Sequence, residues 1–214
     1  MASRIVHLAI ANELIRAHPL PEPDRFLFGS LLPDACADKQ AHYKKLLADG
    51  ARKTHDLTGF RAAWGERLRT DSLYLGFYLH LLQDVLYRYE MYEVVGFDPR
   101  PPENIPRLHL DYQLTNRYVI DQYGLTNRVQ IPEGFEAEPL CSAWHFEPAL
   151  FLEELARDFT AAPHGETVFF SKTMADDLIE RSVRLCLQEL EALDRGAGYF
   201  EEDRFSWKRR MING

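Results

Sequence analysis

The stretch YLGFYLHLLQD, residues 74–84, decides the fold class. It follows Asp71 and Ser72, side chains that cap helices by accepting from first-turn amides. Leu75, Leu79, Leu82 and Leu86 recur at separations of three and four, the period of an α-helix. A second buried side carries Phe77, His80, Leu81, Asp84 and then Tyr87 or Arg88. A helix apolar on most of its circumference must pack neighbours on several sides, so the pattern predicts a central helix in an all-α, multi-helix domain. His80 and Asp84 stand four apart and project from the same face, one turn from each other.

Outward from this helix, Ser3 is a cap for a helix over residues 3–17 in which Val6, Ile10 and Leu14 form the apolar stripe and His7 sits at its edge. Phe26, Leu27, Leu31 and Leu32 form a short apolar segment ended by Pro33, with Asp34 just past the break. Residues 35–55 are polar and lysine-rich without periodicity, which predicts a loop with at most one short helix; it carries His42 and His55. Asp56 caps a helix running to about residue 69. Four prolines in 96–106 make a connector, followed by a helix over about 105–123, an irregular stretch over 124–145, helices over about 147–159 and 171–193, and a mixed aromatic and basic tail. No repeat interrupts this order, and residues 1–214 are expected to form one domain.

Composition narrows the function classes. Hydrophobic residues at 46% and charged residues at 27% suit a chain with a packed core. A formal net charge of -8 argues against stable nucleic-acid binding by phosphate neutralisation, but not against a small phosphate-containing substrate at a site where cations reverse the local sign. Cys36, Cys141 and Cys186 are widely spaced and odd in number, which fits reduced thiols. No apolar run reaches the roughly 18 residues of a membrane span, and His7, Asn12 and Glu13 break the apolar start. A cytoplasmic protein is expected.

The chemistry-bearing residues are histidines and aspartates on otherwise apolar faces. Alone, His80 and Asp84 are better explained by a buried hydrogen bond than by metal ligation, since a histidine and a carboxylate at this spacing often occur by chance. An ionised carboxylate on an apolar helix is nevertheless expensive without a cation, and His7 and Asp34 add to the set.

The order His7, FGSLLPDA (residues 28–35, with Asp34), His42, HLLQD (residues 80–84) and His109 resembles the zinc-dependent phospholipase C and single-strand nuclease superfamily over roughly residues 1–125. The resemblance implies an all-helical domain that holds zinc, or another divalent transition metal such as manganese or iron, at one or two ions and hydrolyses phosphate esters. Residue by residue, it makes Asp34, His42, His80 and Asp84 ligands of a central ion, with Asp84 bridging to a second ion at His7 and His109 belonging to a third site. Two departures alter that third site: Glu90 stands where the family has a histidine, and Gln113 where it has a glutamate. Asp34, Asp38 and Glu90 are the candidate general bases. Two other readings compete: a non-catalytic, metal-stabilised helical binding module, and an HD-domain-like phosphohydrolase built on the dyad His55 and Asp56, although Asp56 already has a sufficient role as a helix cap.

Overall fold

The computed structural model describes residues 2–36 and 39–208 and is mostly helical. Its helices are α1 (Arg4–Ala17), α2 (Pro23–Gly29), α3 (Leu57–Thr70), α4 (Ser72–Tyr89), α5 (Asn104–Gln122), α6 (Pro139–Ala143), α7 (Pro148–Thr160) and α8 (Lys172–Asp194). Three of the caps, Ser3, Asp56 and Asp71, are those the sequence implies, and Ser171 is a fourth. Ser3, Asp56, Asp71 and Ser171 each accept a hydrogen bond from a first-turn amide, satisfying donors that the helix itself cannot.

Helix α4 is the axis of the molecule. From Ser72 to Tyr87 every side chain except Leu75 is buried, and α1, α2, α3 and α8 all pack on it. The closest approach is to α2. A Cβ on Gly76 would collide with the Phe26 carbonyl and lie 2.7 Å from the Ser30 amide, and one on Gly29 would collide with the Leu73 carbonyl. Two glycines face to face thus let the backbones touch, which brings the chain after α2 over the His80 face of α4. There Leu32–Ala35 forms a single 3-10 turn that carries Asp34.

Two stretches differ from the sequence expectation. Residues 44–55 are not a loop but a hairpin, with β1 (Lys44–Leu46) antiparallel to β2 (Arg52–His55) and Lys44 opposite His55. Its turn rests on Asp49, whose carboxylate accepts from the Ala51 and Arg52 amides, and on Gly50 at a left-handed φ of 66°. The tail also folds back: β3 (Trp207–Lys208) pairs antiparallel with β2, Lys53 facing Trp207. The fully buried Glu189 on α8 anchors the tail, accepting from the amides of Tyr199 at 2.7 Å and Phe200 at 2.6 Å and from the Tyr78 hydroxyl. The irregular stretch 124–145 holds a 3-10 turn at Phe135–Ala137 and the short α6. No helix among the described residues is long and apolar enough to cross a membrane.

Candidate metal centre

Four imidazoles and two carboxylates converge on the inner face of α4. His80 and Asp84 come from α4 itself, His7 from α1, Asp34 from the 3-10 turn, His42 from the turn before β1, and His55 from the end of β2. Tyr43, at a φ of 47°, reverses the chain between His42 and β1. A left-handed non-glycine residue costs on the order of 1–3 kcal/mol. Here it brings the His42 carbonyl to the Nδ1 of His55.

Three rings are held in one way. The Nδ1–H of His7 donates to Gln83 Oε1 at 2.7 Å, that of His80 to the Ser30 carbonyl at 2.9 Å, and that of His55 to the His42 carbonyl. Fixing the proton on Nδ1 leaves an unprotonated Nε2 with its lone pair pointing inward. Those nitrogens meet carboxylate oxygens: His7 Nε2 lies 3.7 Å from Asp84 Oδ1, His55 Nε2 3.9 Å from Asp84 Oδ2, and His80 Nε2 3.8 Å from Asp34 Oδ1. His42 Nε2 completes the set, 3.3 Å from Asp34 Oδ1 and 3.8 Å from Asp84 Oδ2.

The Nε2 atoms of His7, His55 and His80 and Oδ2 of Asp84 are buried without a hydrogen-bond partner among the described residues. With neutral rings these buried atoms set acceptor against acceptor, an arrangement that folding avoids unless positive charge, a proton on His7 or a cation, lies between them.

The charges point the same way. Burial raises the Asp34 carboxyl, but His80, the hydrogen bond from His42 and the remaining imidazoles outweigh it and bring it down to about 2. Asp84 is likewise held well below the usual carboxylate range against its own burial, by His7, His80 and His55 among others. Burial, with His7 alongside, drives His80 down to about 3, and burial takes His55 well below the ordinary histidine value. For His7, burial is outweighed by Asp84 and Asp34, so its imidazole is raised. Two carboxylates held in their ionised form therefore sit among four buried imidazoles. A divalent cation fits this donor set of imidazole nitrogens and carboxylate oxygens without thiolate. Two triads have donor atoms within 4.8 Å of one another, His7 with Asp34 and His80, and His42 with His80 and Asp84.

Of the residues the sequence singles out, His7, Asp34, His42, His80 and Asp84 are brought together. Others are placed elsewhere. His109 is exposed at the rim of a cavity of about 310 Å³ that it lines with Asp34, Arg4, Tyr112, Gln113 and Asn116, apart from the clustered donors. Glu90 opens a π turn at Glu90–Val94 and pairs with Arg181 at 3.0 Å, so it is not among the groups around Asp84. Asp38 lies outside the described residues. His55 joins the cluster while Asp56 turns away to cap α3, donors from one dyad thus serving separate purposes. Asp111, two residues from His109, binds the Val168, Phe169 and Phe170 amides and serves as a buried anchor.

Comparison with protein-family models, with curated proteins and with solved structures returns no match.

Proposed function

We propose that the buried cluster is a divalent transition-metal centre and that the protein is a metal-dependent hydrolase of phosphate esters, of the zinc-dependent phospholipase C type. One observation carries the metal assignment: three imidazoles pinned through Nδ1 turn partnerless Nε2 atoms toward two ionised carboxylates. The phosphate-ester assignment rests on the order of the motifs along the chain.

Each imidazole would give one lone pair, and Asp34 and Asp84 two oxygens each, to the ion or ions the cluster would hold. When bound, such an ion supplies Lewis acidity toward water and toward a phosphoryl oxygen. Asp34 is the member of the cluster that also lines the 310 Å³ cavity, so it joins the buried donors to the space a substrate enters. Held at about 2, it stays ionised and is a weak base, better suited to holding a cation than to taking a proton. His109 on the cavity rim is the group placed to move a proton there, its imidazole lowered by partial burial.

The burial of every other donor favours a second reading, in which the ion only staples α1, α4 and the hairpin together. Elemental analysis of protein purified without chelator, paired with hydrolysis of bis-para-nitrophenyl phosphate by wild type and His80→Ala, separates the two. At least about one ion per chain and metal-dependent turnover lost in His80→Ala are expected. An ion without turnover leaves the staple; less than roughly 0.2 ion per chain after reconstitution with zinc, manganese or iron removes both.

A further inference from the structure

Arg88 follows Asp84 by one turn of α4 and so leaves the helix on the face that bears the cluster. Its Nε is buried with no acceptor, and it makes no ion pair among the described residues. The other half-buried arginines differ: Arg4, Arg25, Arg61 and Arg181 meet carboxylates, Arg52 the Ser206 hydroxyl and carbonyl, and Arg107 the Glu166 carbonyl. The guanidinium lies 5.8 Å above the Trp207 ring. No hydrogen bond from its N–H donors to another described residue accompanies that contact.

Arg88 also lines a cavity of about 200 Å³ whose walls include Tyr87, Met91, Tyr92, Phe97, Leu108 and Tyr112. A dry apolar cavity of about 150 Å³ takes up benzene, so this slot suits one substituted ring and is too small for a pair of lipid chains. His109 and Tyr112 line both this slot and the cavity at Asp34, so the two spaces meet at that pair.

We infer that the substrate is a phosphate ester bearing a single planar ring, bound with its anionic group at Arg88 and its ring in the slot beside it. In a chain of net charge -8, an anion entering this region gains a guanidinium fork whose donors no carboxylate has claimed. The inference rests on the hydrolase reading for what happens to the ester, but not for how it binds.

The test is calorimetric titration of the full-length protein as purified with phenylphosphonate, methylphosphonate and octylphosphonate, with metal content measured on the same samples. Phenylphosphonate should bind at least tenfold more tightly than either of the others. Arg88→Met should weaken phenylphosphonate at least tenfold while metal content and melting temperature stay as in wild type, and Arg88→Lys should recover only part of the loss. Ile105→Phe, which narrows the slot from its α5 wall, should abolish the preference for the phenyl compound and carries the test if Arg88→Met does not fold. Equal binding of phenylphosphonate and methylphosphonate, or undiminished binding by a folded Arg88→Met, overturns the inference. Loss of the metal with the ring preference intact would reject the hydrolase reading and leave the binding site standing.

Discussion

The imidazole of His7 lies flat against that of His80, ring centroids 4.0 Å apart and planes 22° from parallel. One ring comes from α1 and the other from α4, yet both turn Nε2 toward the same pair of carboxylates. Gln83, three residues beyond His80, holds the His7 ring in that orientation, so α4 supplies both a donor and the brace for its neighbour.

Asp84 is the hub of this arrangement, facing the Nε2 atoms of His7, His42 and His55. Asp84→Asn removes the charge while an amide can still donate to one of those nitrogens, so the chain should fold. Metal affinity, read as ions bound per folded chain across a titration, should fall by at least about tenfold. Gln113→Ala, on the exposed cavity wall, should leave it unchanged. Equal occupancy in the two variants would mean that α4 does not carry the ion.

Gly76→Ala sets two effects against each other. Alanine favours a helix interior over glycine by about 1 kcal/mol. The added Cβ meets the Phe26 carbonyl and the Ser30 amide, backbone atoms that cannot step aside, and forcing extra atoms into a packed core costs about 1–3 kcal/mol. Net destabilisation is expected in a denaturant titration, together with weaker metal binding, because the Ser30 carbonyl that pins His80 must shift. A variant as stable as wild type would show that α2 and α4 are free to separate.

Lys45 ties the hairpin to the tail, within 3.1 Å of Glu202 and Asp203 and 3.3 Å of Asp56. Burial lowers its ammonium, but Asp203 and Glu202 outweigh that and bring it up to about 12. A cation bound more tightly in the folded state stabilises it fully below its unfolded value, near 10.4, and ceases to do so as pH rises through 12. Melting temperatures of wild type and Lys45→Met should therefore differ most below pH 10 and converge toward pH 12, the difference staying modest, on the order of 1 kcal/mol or less, for a pair this exposed. A gap that widens with pH would refute the assignment.

Much of this was readable from the chain. The period of α4, the capping residues and the prolines place the longer helices to within a residue or two, because each of those signals acts locally, while the short α2 and α6 were not read as helices. His7, Asp34, His80 and Asp84 stand out as polar residues on apolar faces or beside a forced break, whereas His42, in a polar stretch without periodicity, is reached only through the family resemblance. His55 did not, although Asp49 and Gly50 mark a hairpin turn, because the flanking strands are short and show no alternation. The pairing of β2 with residues 207–208 has no local signature at all, since its partners are far apart in sequence. Glu90 enters as the residue standing where the family has a histidine, and nothing local in the sequence signals that α4 ends at Tyr89 and widens into a π turn in which Glu90 pairs with Arg181.

All six clustered side chains have been synthesised by residue 84 of 214, whereas α5, α7, α8 and the returning tail follow later. Donors and shelter are therefore separate pieces of the chain. A nascent polypeptide presents the whole set of imidazoles and carboxylates while it is still open to the surrounding solution, and the later helices pack over them afterwards. In the finished protein His7 rides on a helix that packs chiefly on α8 and α5, so lifting the late segments both uncovers the centre and loosens one of its donors, and exchange of whatever it holds is governed by how often that cover opens.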